Sequence, residues 1–227
     1  MSPTLAIIAA LPREIALLVR GTKPDPALLP SGIYLYRQPK AIIVAAGMGS
    51  ARVSLAVQAT LAAAPVTTLI STGLAGSCTA SLRPGDVAEP GRIMDANTGE
   101  RWLADALPET VLVTTDAIAG IREKCRLAEA YGAHLVDMEA ATVARLAAGH
   151  GLRFRAIKAI SDGHDFELPA LSRFTGRQGS FRTGAFALHV ALHPRLWAQA
   201  AQLGRDSSRA LAALTERLQQ VVNEEVD

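Results

Sequence analysis

Apolar runs and apolar helical stripes alternate along this chain. Thr4 to Ala10 is a continuous apolar run, the pattern of a strand buried on both faces, and Pro12 ends it. Arg13 to Arg20 has room for a helical turn or two. Tyr34 to Arg37 and Ala41 to Ala46 read as two strands joined at Pro39-Lys40. Gly47-Met48-Gly49-Ser50 then opens a helix that carries Val53, Ala56, Val57, Thr60 and Leu61 on one face. Val66 to Thr72 is another buried strand, closed by the turn Gly73-Leu74-Ala75-Gly76.

The second half continues the alternation. Glu89 to Leu107 is rich in Gly, Pro and Asp and reads as irregular. Thr110 to Thr115 is a strand, Ile118 to Tyr131 a helix, and His134 to Val136 a brief extension into the sheet. A helix from Met138 to about His150 precedes a strand from Phe154 to Ser161. Asp162 to Thr183 has few apolar residues in any period and reads as a long functional loop. Helical segments from Gly184 to His193 and from Pro194 to about Val222 finish the chain. Strands alternating with helices predict an α/β fold, three-layer α/β/α, with a central mixed and mainly parallel sheet. No repeat or linker divides residues 1–227, so a single domain is expected.

Composition narrows the function classes. Of 227 residues, 49% are hydrophobic and 19% charged, and the formal charge is +2, with no run that interleaves basic and aromatic residues. A nucleic-acid partner is therefore not expected. Cys78 and Cys125 are too few for a disulfide framework and lack zinc spacing, which points to the cytoplasm. The N-terminus has no signal-peptide pattern, and Leu5 to Leu11 is far too short to span a bilayer. No integral membrane segment is expected, which still leaves room for a membrane-derived lipid substrate.

Two acidic positions carry the chemistry. Glu139 follows a short apolar run at the head of an alanine-rich helical pattern, and Asp162 ends the strand before Gly163. Carboxylates at the ends of buried elements are costly unless they bind something, and two together suit a ligand with hydroxyls and a protonatable atom. Each also has a bland reading: Glu139 as a solvated helix-start charge, Asp162 as the turn residue of Asp-Gly. Gly47-Met48-Gly49-Ser50 offers backbone N–H groups to an anion, or is simply a tight turn. It lacks the third glycine of a dinucleotide fingerprint and the Gly-Lys-Ser/Thr of a Walker A loop. No Gly-x-Ser-x-Gly elbow is present. His189 and His193 share a helix face, but no third ligand accompanies them, so no metal and no cofactor is expected.

Five segments carry a resemblance: Ile7-Ile8-Ala9-Ala10-Leu11-Pro12-Arg13-Glu14, Ala46-Gly47-Met48-Gly49, Ser71-Thr72-Gly73-Leu74-Ala75-Gly76, Val136-Asp137-Met138-Glu139-Ala140-Ala141 and Ala159-Ile160-Ser161-Asp162. In this order and spacing the chain resembles the nucleoside phosphorylase and nucleosidase superfamily over most of residues 5 to 165. The resemblance implies cleavage of the N-glycosidic bond of a purine nucleoside. Glu139 would accept the ribose 2′- and 3′-hydroxyls with Met138 against the sugar, Asp162 would serve N7 of the base, and Glu14 would orient water. Asp137, Gly73, Ala75, Gly76, Ala117, Ile118 and Ser161 would complete the nucleoside site. Inorganic phosphate as co-substrate would call on Gly47, Met48 and Gly49 with a cation from among Arg13, Arg52 and Lys158.

Leu74, Ile118 and Asp137 replace a serine, an aromatic residue and a glutamate of the methylthioadenosine nucleosidases, and the 89–107 stretch is shorter than theirs. Further segments, Arg173-Phe174, Gly179 to Phe186 and His189 to Pro194, are similar to the hopanoid-associated phosphorylase branch. That branch implies adenosylhopane as substrate, with Leu168, Leu171, Phe174, Phe181 and Phe186 as an apolar mouth. The alternatives are a methylthioadenosine/S-adenosylhomocysteine-type nucleosidase and a nucleoside-binding protein without catalysis. A homodimer is expected from the resemblance.

Overall fold

The computed structural model describes residues 5–105, 109–166 and 193–224. Its strands form one mixed sheet in the order β2-β3-β1-β4-β9-β8-β6-β7, with β10 and β5 branching from β4. The strands are β1 (Leu5–Ala9), β2 (Tyr34–Arg37), β3 (Ala41–Ala45), β4 (Thr68–Ser77), β5 (Val87–Ala88), β6 (Arg92–Asp95), β7 (Arg101–Leu103), β8 (Val111–Thr114), β9 (Leu135–Asp137) and β10 (Arg153–Asp162). Parallel pairing joins β1 to β3 and β4, β4 to β10, and β8 to β6 and β9.

The continuous apolar runs arise because both faces of the sheet are covered. Along β1, Ala6 and Ile8 face one core, while Leu5, Ile7 and Ala9 face the other. The first core is filled by Val53, Ala56 and Val57 of α2 (Ser50–Ala63) and by Val143, Ala144 and Ala147 of α4 (Ala140–Gly149). The second takes Ile15 of the short α1 (Pro12–Ile15) and Ala210, Leu214, Leu218 and Val221 of α5 (Trp197–Glu224). A third patch packs Leu127 of α3 (Ile121–Tyr131) on Val111, Val113 and Val136. The expected three-layer α/β/α arrangement is present.

Two expectations need correction. The stretch Gly73-Leu74-Ala75-Gly76 does not close a strand, because β4 runs on through it. Lys158 to Ile160 of β10 pair residue by residue with Gly73 to Ala75, and Asp162 pairs with Gly76 after a shift in register. Backbone groups on their β10 edge are used by the sheet, the N–H of Leu74 turns instead to Glu14, and Gly73, at φ 124°, bends the strand without breaking it. Residues 89–107 also contain regular structure, the antiparallel β6–β7 pair. Its turn is held by Asp95, whose carboxylate accepts from the N–H of Asn97 (2.8 Å) and Thr98 (3.3 Å), so its turn-forming residues mark a hairpin.

The helix expected from Pro194 is a 3-10 turn at Pro194–Leu196 followed by α5. The Gly184 to His193 helix, most of the 162–183 loop and the apolar series Leu168, Leu171, Phe174, Phe181 and Phe186 lie outside the described residues, as does His189. Among the described residues no helix is long and apolar enough to cross a membrane.

A carboxylate-lined cavity at the strand ends

A cavity of about 560 Å³ opens where β1, β4, β8, β9 and β10 end. This is where open α/β sheets bind ligands, because neighbouring strand ends splay apart and leave a crevice. Glu14, Glu139 and Asp162 all line it, together with Ala75, Gly76, Ala117, Ile118, Met138 and Ser161. Arg13 and Met48 reach it too. Its outer wall is the first half of α5, through Ala200, Leu203, Gly204, Ser207, Ser208 and Leu211. These positions recur every three or four residues and so share one helix face.

Glu14 sits at the third position of α1. Its Oε2 accepts from the N–H of Ala10 (3.1 Å) and Leu11 (2.9 Å), and its Oε1 from the N–H of Leu74 (3.4 Å). The carboxylate thus ties the end of β1 to the bend of β4. Gly73 makes room for it, since a Cβ there would meet Oε2 at 2.9 Å. Burial raises its pKa above the ordinary carboxylate value, against the pull of the backbone donors and Lys158. A carboxylate so placed is a stronger base than one in water.

Glu139 caps the start of α4, and its Oε1 accepts from Gly49 N–H at 3.0 Å. That bond links the β3–α2 turn to the β9–α4 turn. Burial, with the neighbouring Asp137 charge next, pushes its pKa up to about 7. Asp137 itself is turned inward. Its Oδ1 accepts from Thr114 Oγ1 (2.7 Å), and its Oδ2 accepts from Ala140 N–H (2.9 Å) and faces Lys158 Nζ at 2.8 Å. Its side chain is fully buried, so it holds α4 and Lys158 rather than presenting oxygens to a ligand.

Lys158 is completely buried on β10, where Nζ also donates to Thr72 O at 3.1 Å. Burial works against its charge, but Asp137, Glu139 and Glu14 together hold its pKa above the ordinary lysine value. It is the counterion beneath the acidic cavity.

The cations named for phosphate do not converge. Lys158 lies below the cavity floor. Arg52 bonds to Ala46 O through Nε at 2.5 Å, and to Ser31 O and Gly32 O through Nη2 at 2.9 Å each, so its guanidinium clamps the loop before β2. Only Arg13 of the three lines the cavity. The glycine turn is likewise occupied: Gly47 N–H donates to Ala10 O at 2.7 Å and Gly49 N–H to Glu139.

Asp162 ends β10 on the opposite side of the cavity floor. Ser161 Oγ donates to its Oδ1 at 2.5 Å, and Lys124 Nζ, from α3, forms an ion pair with its Oδ2. Gly76 packs against both Asp162 and Lys124. Lys124 and the α5 wall were not among the residues expected from sequence. A signal for Lys124 exists: Ile121, Lys124, Leu127 and Ala128 share one helix face, and a lysine on the apolar face of a short amphipathic helix calls for a buried partner. No group of three His, Cys, Asp or Glu side chains among the described residues is arranged to hold a metal ion.

Fold and site together define an α/β enzyme with an acidic cavity at the carboxyl ends of its strands. The chain belongs to the phosphorylase superfamily, whose family model matches residues 4–117 and 97–190. No curated protein matches it. The structure is similar to that of Arabidopsis thaliana 5′-methylthioadenosine nucleosidase in apo form, with TM-score 0.75 and 18% identity over 99% of this chain and 96% of that one. It is also similar to S-adenosylhomocysteine nucleosidase from Streptococcus pyogenes (TM-score 0.62, 24% identity, 72% and 86% covered). A futalosine hydrolase mutant of Helicobacter pylori gives TM-score 0.61 and 18% identity over 82% of this chain and 97% of that one. At these identities the likeness is one of fold.

Proposed function

We propose that this chain releases the base from a purine nucleoside with a 5′ substituent, using water as the nucleophile. The observation that carries this reading is the convergence of Glu14, Glu139 and Asp162 on one cavity at the strand ends. Glu139, once ionised, offers two oxygens to the two ribose hydroxyls, with Met138 against the sugar. Ala117 and Ile118 border the base, and Asp162 faces its N7. As the C1′–N9 bond breaks, its electron pair stays on the base, which takes up a proton on the Asp162 side. Water bonds to C1′ and gives a proton to Glu14, whose raised pKa suits a general base.

Water is favoured over phosphate because Lys158 and Arg52 are committed elsewhere and the glycine turn has donated two of its N–H groups within the protein. Ala200, Leu203 and Leu211 of the α5 wall, with Leu74, supply apolar surface suited to a hydrocarbon or thioether on the 5′ carbon. Adenosylhopane stands at the apolar extreme of that class, and 5′-methylthioadenosine and S-adenosylhomocysteine at the compact end. The reading carries with it the homodimer expected from the resemblance, checked by sedimentation equilibrium.

The test is release of adenine from these substrates and from adenosine, with and without phosphate. Adenine release at equal rates in both buffers is expected. Release only with phosphate, giving a sugar 1-phosphate, would overturn water as nucleophile. Tight nucleoside binding without turnover would instead support a binding protein.

A further inference from the structure

Lys124 is a buried lysine on α3 that no role in the reaction yet uses. Its ammonium has three protons, and the structure provides three acceptors: Asp162 Oδ2 in the ion pair, Gly163 O at 2.7 Å and Phe166 O at 3.3 Å. No donor is left for an anionic ligand, so Lys124 is not a phosphate anchor. It is 1% exposed, whereas the Asp162 side chain is 20% exposed toward the cavity. Lys124 borders the cavity too, but its side chain is almost wholly covered and its ammonium is engaged by Asp162 and two carbonyls. Gly76 closes the arrangement: a Cβ there would lie 3.0 Å from both Asp162 Oδ2 and Lys124 Cε.

We propose that Lys124 is the positioning residue that holds the Asp162 carboxylate against N7 of the leaving base as that nitrogen is protonated. This rests on the glycosidic reading of the cavity and adds a residue to it. As the base departs, its N7 takes up a proton from solvent, and the Asp162 carboxylate, kept ionised and in place by the Lys124 ammonium, accepts a hydrogen bond from the new N7–H and stabilises its charge. Its two bonds to the chain just after β10 fix the direction in which Asp162 points. No proton leaves Lys124. Its contribution is confined to reactions in which the departing group must be protonated.

That confinement gives the test. Turnover of wild type, Lys124→Met and Lys124→Arg is measured on a purine nucleoside and on 4-nitrophenyl β-D-ribofuranoside, whose nitrophenolate departs without a proton. Lys124→Met should lose about 100-fold or more on the nucleoside, as expected for removing assistance to protonation of the leaving base, and only a few-fold on the nitrophenyl riboside. Lys124→Arg should recover part of the nucleoside rate. In an Asp162→Asn background, Lys124→Met should add little further loss on the nucleoside. Gly76→Ala, which leaves both charges in place, gives the same selective loss and serves if Lys124→Met fails to fold. Equal losses on the two substrates, in whichever variant folds, would overturn the role of Lys124 and leave the glycosidic reading standing. A wild-type protein that cleaves neither substrate would overturn both.

Discussion

Replacing Glu139 by Gln should stabilise the protein at alkaline pH while disabling it. In the folded chain burial and Asp137 push the Glu139 pKa up to about 7, against an ordinary value of 4.5. Each unit of difference corresponds to about 1.4 kcal/mol, so ionising Glu139 in the folded state costs about 3 kcal/mol relative to the unfolded chain. Below pH 4.5 the group is protonated in both states and costs nothing. Between pH 4.5 and 7 the folded chain binds more protons than the unfolded one, so stability falls as pH rises, and above 7 the full cost is present. Glu14, also raised by burial, acts in the same direction.

Gln keeps an oxygen that can accept from Gly49 N–H but carries no charge at any pH. Urea unfolding of both proteins at pH 4.5, 6 and 8 should show the variant's advantage growing from near zero to about 3 kcal/mol. Activity runs the other way: kcat/KM of the wild type should rise with pH through about 7 as Glu139 ionises. The variant should lose on the order of 100-fold or more, because a charged acceptor for two hydroxyls is gone. A stability difference that stays constant from pH 4.5 to 8 would refute the reasoning.

Two further outcomes follow from contacts under the cavity. Gly73→Ala places a methyl 2.9 Å from Glu14 Oε2 at φ 124°, so it should cost about 1–3 kcal/mol in urea unfolding and reduce base release by displacing Glu14. Lys158→Met leaves Asp137 buried without its counterion and should cost about 3–5 kcal/mol, with Asp137→Asn in the same chain restoring a good part of the loss. Calorimetric melting of the single and double variants checks this.

Burial patterns and chemical identity made different parts of the structure legible in the sequence. The strands β1, β3 and β8 were legible because both faces of the sheet are covered and their centres are apolar. Glu14, Glu139 and Asp162 were legible because each ends a recognisable segment. What pattern alone missed depends on pairing between distant segments. The glycines of β4 look like a turn until β10 is laid beside them. Lys158 looks like a phosphate ligand until Asp137 is placed under the same floor. Lys124 comes from α3, whose own pattern names no partner, and Asp162 lies 38 residues away.

α5 joins the hydrophobic core to the cavity. Ala210, Leu214, Leu218 and Val221 fix its second half in the core, while its first half forms the cavity wall. Arg217 adds a strut through Nε to Glu89 Oε1 at 2.6 Å, and the other oxygen of Glu89 meets Arg155 of β10 at 2.8 Å. A helix rises about 1.5 Å per residue, so Trp197 stands about 25 Å from Leu214, and a tilt of about 5° at the core moves it by about 2 Å. The width of the cavity is thereby a property of side chains that never touch a ligand. A methylene gained or lost beside Leu214 would retune the width of the cavity, so its selectivity can shift by adjusting the pivot rather than the wall.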